Sequence, residues 1–182
     1  MVGDSSGPFP IPGRNGEEWA HTLLEAESHY LSGTATKMKA DATKGYADFC
    51  MMLGDQPKAV AVHHNSVRQF KSDDGSEYAP PEFIEYLKRL NTIRQTTCAN
   101  SPEQNGMSES VWWRLKSMMR CMLMHAKLEQ TYWPYAFEAA IYIWNRSTSK
   151  ANKHGLTPVE YVTKDRTSRF NNVESMGVHC LR

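Results

Sequence analysis

The stretch after Ser108 constrains the fold most. At 100° per residue, Val111, Leu115, Met118, Met119 and Met122 gather on one broad helical face, and Glu109, Trp113, Lys116 and Arg120 fall on another. A helix with so wide an apolar stripe must bury it against a second layer. The Met-rich face reads as core packing, because unbranched thioethers fill irregular gaps. The second layer is strand-like sequence. Residues 19–24, 29–36, 67–72 and 92–97 read as short strands, and the chain begins inside another, cut just before Asp4 and closed by the Gly7-Pro8-Phe9-Pro10 break. Residues 40–53 have helical spacing at Tyr46, Phe49, Cys50 and Leu53, and Gly54 ends that helix. Pro80-Pro81 opens another helix with Phe83, Leu87 and Leu90 on one side. Ser108 is the expected N-cap of the long helix, which a loop containing Asn100-Ser101-Pro102 and Gly106 precedes. Further helices are expected over 133–145 and after Thr157-Pro158. Strands and helices in this order predict an α/β domain.

With 182 residues, 40% hydrophobic and 23% charged, the chain has the composition of one globular domain, and disorder, collagen repeats and coiled coil are excluded. No apolar run approaches the roughly 18 residues of a membrane span, and the N-terminus lacks a signal-peptide core. A soluble protein with no membrane partner is expected. The net charge of +1 conceals an asymmetry. Residues 1–108 hold 10 Lys/Arg against 14 Asp/Glu, and residues 109–182 hold 11 against 6. A basic half joined to an acidic half is compatible with a nucleic-acid face. Cys50, Cys98, Cys121 and Cys180 are widely separated and form no CxxC, so they read as reduced thiols of an intracellular protein. His63–His64 has no second ligand pair at metal spacing and reads as a surface loop.

Three acidic residues stand out by position. Asp4 lies on a strand that stops at the Gly-Pro break, Asp73 ends another strand before Gly75, and Glu109 occupies the expected first turn of the long helix. Carboxylates that converge from such positions repel one another unless divalent cations neutralise them. Oxygen-only donors suit Mg²⁺ or Mn²⁺, and two such ions roughly 3.5–4 Å apart serve phosphodiester chemistry. By spacing alone, ordinary solvated surface groups are the better account, since any three of the 20 acidic residues could be chosen.

The surrounding residues narrow the choice. Phe70-Lys71-Ser72-Asp73-Asp74-Gly75-Ser76-Glu77-Tyr78 resembles the segment around the second Asp of the integrase catalytic core of Ty1/copia-type retrotransposons. Ile93-Arg94-Gln95 and Ser101-Pro102-Glu103-Gln104-Asn105-Gly106-Met107-Ser108-Glu109 are similar to that family's approach to its catalytic Glu, and 35 residues separate Asp73 from Glu109, the spacing for which the D,D-35-E integrases are named. Asp4 with Gly7-Pro8 resembles the first Asp and its Gly-Pro. Tyr132-Trp133-Pro134, the helix ending in Asn145-Arg146, Thr157-Pro158-Val159-Glu160-Tyr161 and Met176-Gly177 resemble the family's later elements. The resemblance covers almost the whole chain. Ser110 to Trp113 depart from the basic and polar residues usual after the Glu, and Asp74 replaces the usual Asn.

The resemblance implies an RNase H-like fold, a five-stranded mixed sheet flanked by helices, as a single catalytic core over 1–182 with 147–182 extending it. It implies metal-dependent joining of a retroelement DNA 3′-hydroxyl to a target phosphodiester by part of a Pol polyprotein. Asp4, Asp73 and Glu109 would be the catalytic, metal-holding triad for two Mg²⁺ or Mn²⁺ ions. Lys116, Arg120, Trp113, Asn105 and Gln104 would bind nucleic acid, with element-end and target DNA as partners, a homo-oligomer on DNA and a nuclear location. A solvated helix face accounts equally well for Lys116 and Arg120. Two other functions suit the same fold: a non-catalytic nucleic-acid-binding remnant, and a nuclease that uses water in place of the 3′-hydroxyl.

Overall fold

The computed structural model describes residues 1–54, 68–73, 75–96, 102–148 and 155–163, with the backbone alone at 47, 51–54 and 102–105. His63–His64, Asp74, Cys98, Cys180 and Met176-Gly177 lie outside the described residues. Ten regular elements follow the chain: β1 Val2–Ser6, β2 Trp19–Leu24, β3 Leu31–Thr36, α1 Ala42–Gly54, β4 Gln69–Ser72, α2 Pro81–Arg89, β5 Ile93–Thr96, α3 Pro102–Ala126, α4 Trp133–Arg146 and α5 Pro158–Thr163. The strands form one sheet in the order β3-β2-β1-β4-β5. β1 to β3 are antiparallel neighbours, and β4 lies parallel to both β1 and β5. This is the five-stranded mixed sheet that the sequence implies.

Strand alternation divides the core in two. On one face Leu23, Phe70, Tyr78, Tyr46, Phe49, Phe83 and Leu87 bury α1 and α2 against the sheet. On the other, Ala20, Leu24 and Leu31 meet Val111, Trp112, Leu115 and Met119 of α3 and Phe137, Ala140 and Ile141 of α4. Met118 and Met122 pack against the same cluster, as the helical spacing predicts. α4 sits directly on the backbone of β3. A Cβ at Gly33 would lie 2.6 Å from Ile141 Cδ1 and 2.8 Å from Phe137 Cζ.

Two expectations are corrected. The strand expected at 29–36 begins at Leu31, because His29 adopts a left-handed turn (φ 57°) that no strand accommodates. The long helix starts at Pro102, not after Ser108, so Ser108 is no N-cap. Proline needs no amide partner in a first turn, and the single Gly106 costs a helix only about 1 kcal/mol, too little to break it.

A polar clasp fixes α4. Buried Asn145 accepts from Leu31 N–H at 2.8 Å through Oδ1 and donates Nδ2–H to Leu31 O at 2.7 Å. Trp144 Nε1 donates to His29 O at 3.0 Å one residue earlier. Asn145→Leu leaves both peptide groups of Leu31 unsatisfied in the core, and an expected loss of about 1–3 kcal/mol is read by urea denaturation.

Candidate active site

Two of the three acidic residues come together through strand register. Val2 pairs with Lys71 across the parallel β1–β4 ladder, so two residues further along Asp4 stands beside Asp73, just past the end of β4. Both share the parity of Val2 and Lys71, on the face covered by α3. Asp4, Lys71, Ser72 and Asp73 line one cleft, and Ser108 of α3 closes its other side.

The electrostatics follow from this crowding. Burial pushes the Asp4 carboxyl up to about 6, and the negative charges of Asp73 and Glu77 push in the same direction. The backbone N–H of Ser5, donating to Asp4 Oδ1 at 2.8 Å, opposes the rise. The Trp112 indole N–H also favours the charged form, although it makes no hydrogen bond of ordinary geometry. Trp112 is itself core, with its ring 5.8 Å from that of Phe137 and stacked nearly parallel to it. On the opposite sheet face, Ser5 Oγ and Thr36 Oγ1 each lie 2.8 Å from a ring nitrogen of buried His21, tying β1, β2 and β3 together behind the cleft.

Glu109 is exposed and follows Ser108 on α3, at the eighth residue of the helix and not in its first turn. Among the described residues no three His, Cys, Asp or Glu side chains are close enough to hold one metal ion. The structure therefore joins Asp4 to Asp73 and leaves Glu109 at the adjacent position on the overlying helix. The donor chemistry fits a hard divalent cation: the two carboxylates are oxygen donors of like charge, one of them largely desolvated.

The residues expected at nucleic acid divide in the same way. Trp113 is 72% exposed, and Lys116 and Arg120 are exposed on the same side of α3, away from the core. Lys116 Nζ lies 5.6 Å from the Trp112 ring centroid. Gln104 and Asn105 fall in the first turns of α3, and their side chains lie outside the described residues.

Sequence reasoning missed Lys71, Ser108, Trp112 and Glu77. Period-two alternation would have found Lys71, which shares the face of Asp73. Ser108 was hidden by its assignment as a cap. Trp112 stood out only as a departure from the family pattern. Nothing local marks Glu77, whose surroundings come from a distant turn.

The five-stranded mixed sheet with its flanking helices is an RNase H-like fold, shared with solved integrase catalytic cores. The chain superimposes on the magnesium complex of the HTLV-2 integrase catalytic core domain (trimeric form) with a TM-score of 0.64 and 14% identity, over 88% of this chain and 93% of that one. Against the simian T-cell lymphotropic virus intasome in complex with PP2A regulatory subunit B56 gamma, the TM-score is 0.68 at 18% identity, over 91% of this chain and 54% of the other. No family model matches the sequence. The retrovirus-related Pol polyprotein of transposon TNT 1-94 from Nicotiana tabacum is 27% identical over 149 residues, which is 82% of this chain. The chain spans 11% of that polyprotein's length. Together these similarities support an integrase core domain of the Ty1/copia retrotransposon type.

Because the folded Asp4 carboxyl holds its proton up to about pH 6, against 3.8 for the unfolded group, the native state binds more protons between those values. Stability of the metal-free protein should fall as pH rises through that window, by on the order of 2–3 kcal/mol. Asp4→Asn should flatten this part of the stability-pH profile and be the more stable protein at pH 7, measured by urea unfolding in chelator.

Proposed function

We propose that this domain carries out metal-dependent polynucleotidyl transfer in DNA integration, joining a retroelement 3′-hydroxyl to a target phosphodiester. The observation that carries this reading is the placement of Asp4 beside Asp73 at the centre of an integrase-core sheet, in a cleft lined by α3. Asp4, Asp73 and Glu109 would hold two Mg²⁺ or Mn²⁺ ions. When bound, these cations supply charge neutralisation at the phosphate and lower the cost of charge on the attacking and departing oxygens. The protein's own part is positioning. β1 and β4 fix two carboxylates on adjacent strands, and Glu109 is the residue that follows the cleft residue Ser108 on α3. Lys71, which lines the cleft, places a cation where phosphate oxygens approach. Along α3, Lys116 and Arg120 meet backbone phosphates and Trp113 offers a ring for stacking. Element-end and target DNA are the partners, a homo-oligomer assembles on them, and the nucleus is the place of action.

One observation favours a second reading. Glu109 is exposed and, among the described residues, outside any metal-sized group of three, which suits a non-catalytic DNA-binding integrase fold. A labelled element-end DNA incubated with target DNA and Mn²⁺ separates the readings. Joined products, reduced roughly 100-fold or more by Asp73→Asn, support transfer. Hydrolysed products alone indicate a nuclease, and retarded but unaltered DNA indicates the binding module.

The α3 surface has its own test. Lys116→Ala with Arg120→Ala should weaken DNA binding across sequences and reduce the slope of log affinity against log salt by roughly 2. Fluorescence anisotropy over a salt series measures it, and an unchanged slope returns both residues to the solvated surface.

A further inference from the structure

Glu77 is a buried carboxylate that the reading above does not use. It lies in a 3-10 turn, Ser76–Tyr78, and is 3% exposed. Burial of a charged group is costly unless a partner neutralises it. The partner is Lys39, from the turn that follows β3, with Nζ 2.9 Å from Glu77 Oε2. Lys39 Nζ also lies 5.5 Å from the Trp19 ring centroid. Glu77 therefore joins the loop after β4 to the far, antiparallel half of the sheet.

The same carboxylate crowds the site. A Cβ at Gly75 would collide with Glu77 Oε2 and lie 2.8 Å from Asp73 Oδ1, so the two acidic groups flank one backbone position. Only the missing side chain of Gly75 allows both to be there. The negative charge of Glu77 is also felt at Asp4. Tyr78, fully buried with its ring 5.2 Å from Phe70, anchors the turn from the next residue. The turn would be held without an ion pair, so packing alone does not account for a buried charge at position 77.

We propose that Glu77 supports the metal site electrostatically: its carboxylate neutralises Lys39, whose unopposed charge would repel a divalent cation from Asp4 and Asp73. The inference rests on the metal-holding role given above to Asp4 and Asp73. It predicts opposite effects from the two partners. Glu77→Gln leaves the Lys39 charge unopposed and should weaken Mn²⁺ binding about tenfold. Lys39→Met added to Glu77→Gln removes that charge and should recover most of the loss. The double variant replaces a buried pair with neutral groups, a change that folded proteins tolerate well.

Mn²⁺ affinity of the 182-residue chain is measured by calorimetry and by the electron paramagnetic resonance signal of free Mn²⁺, with thermal melting recorded for each variant. Recovery in the double variant, with similar melting of all the proteins, supports the proposal. A double variant that binds as weakly as Glu77→Gln, or more weakly, reduces the pair to packing and overturns it. If the wild type binds Mn²⁺ and Asp73→Asn abolishes binding, but Glu77→Gln changes nothing, this inference alone fails. A wild type that binds no Mn²⁺, or binds it as Asp73→Asn does, removes the metal site itself and the inference with it.

Discussion

Parallel pairing of β1 with β4 is the constraint on which the rest depends. These strands come from chain segments more than sixty residues apart, and their register, Val2 opposite Lys71, sets two acidic groups side by side. Like charges so close, one of them desolvated, are unfavourable in the protein by itself. The sheet tolerates the arrangement because β1 is the central strand, paired on both edges and backed by the Ser5–His21–Thr36 hydrogen bonds. Folding free energy from two apolar layers is thus spent holding a locally strained electrostatic arrangement, as expected where a cation completes the charge balance.

α3 couples that arrangement to the outside. Val111, Leu115 and Met119 bind it to the core, Ser108 and Trp112 bring it to the cleft and to Asp4, and Trp113, Lys116 and Arg120 face solvent. Successive residues turn by 100°, so neighbours such as Trp112 and Trp113 serve opposite environments. The same geometry sets Glu109 on a different bearing from Ser108.

Much of this was legible in the sequence because it is periodic or punctuated. Short runs ending in turn signals marked β2 and β4, the 3.6-residue repeat marked α3, and Pro81 and Pro158 marked helix starts. Asp73 was legible as a strand-end residue before a glycine turn. What local pattern could not show was the partner of each group. The Lys39–Glu77 pair and the closeness of Trp112 to Asp4 depend on which strands are neighbours, a property of the whole sheet. Boundaries failed where one residue outweighed its neighbours: His29 delayed β3 by its left-handed backbone, and Pro102 started α3 two turns early. Glu109 was legible as a residue of the long helix, but its place within that helix depended on the starting point.

The Asn145 clasp has a consequence for how accurately the molecule assembles. Oily surfaces tolerate slippage: a helix displaced by one turn along a strand still buries much of its apolar stripe. An amide that both accepts from the N–H and donates to the C=O of a single residue has no equivalent partner one turn away. Asn145 thus works as an index mark, selecting one alignment of α4 on β3 among several of similar greasiness. Through the packing of α4 on α3, that selection from 114 positions along the chain is passed on to the wall of the cleft.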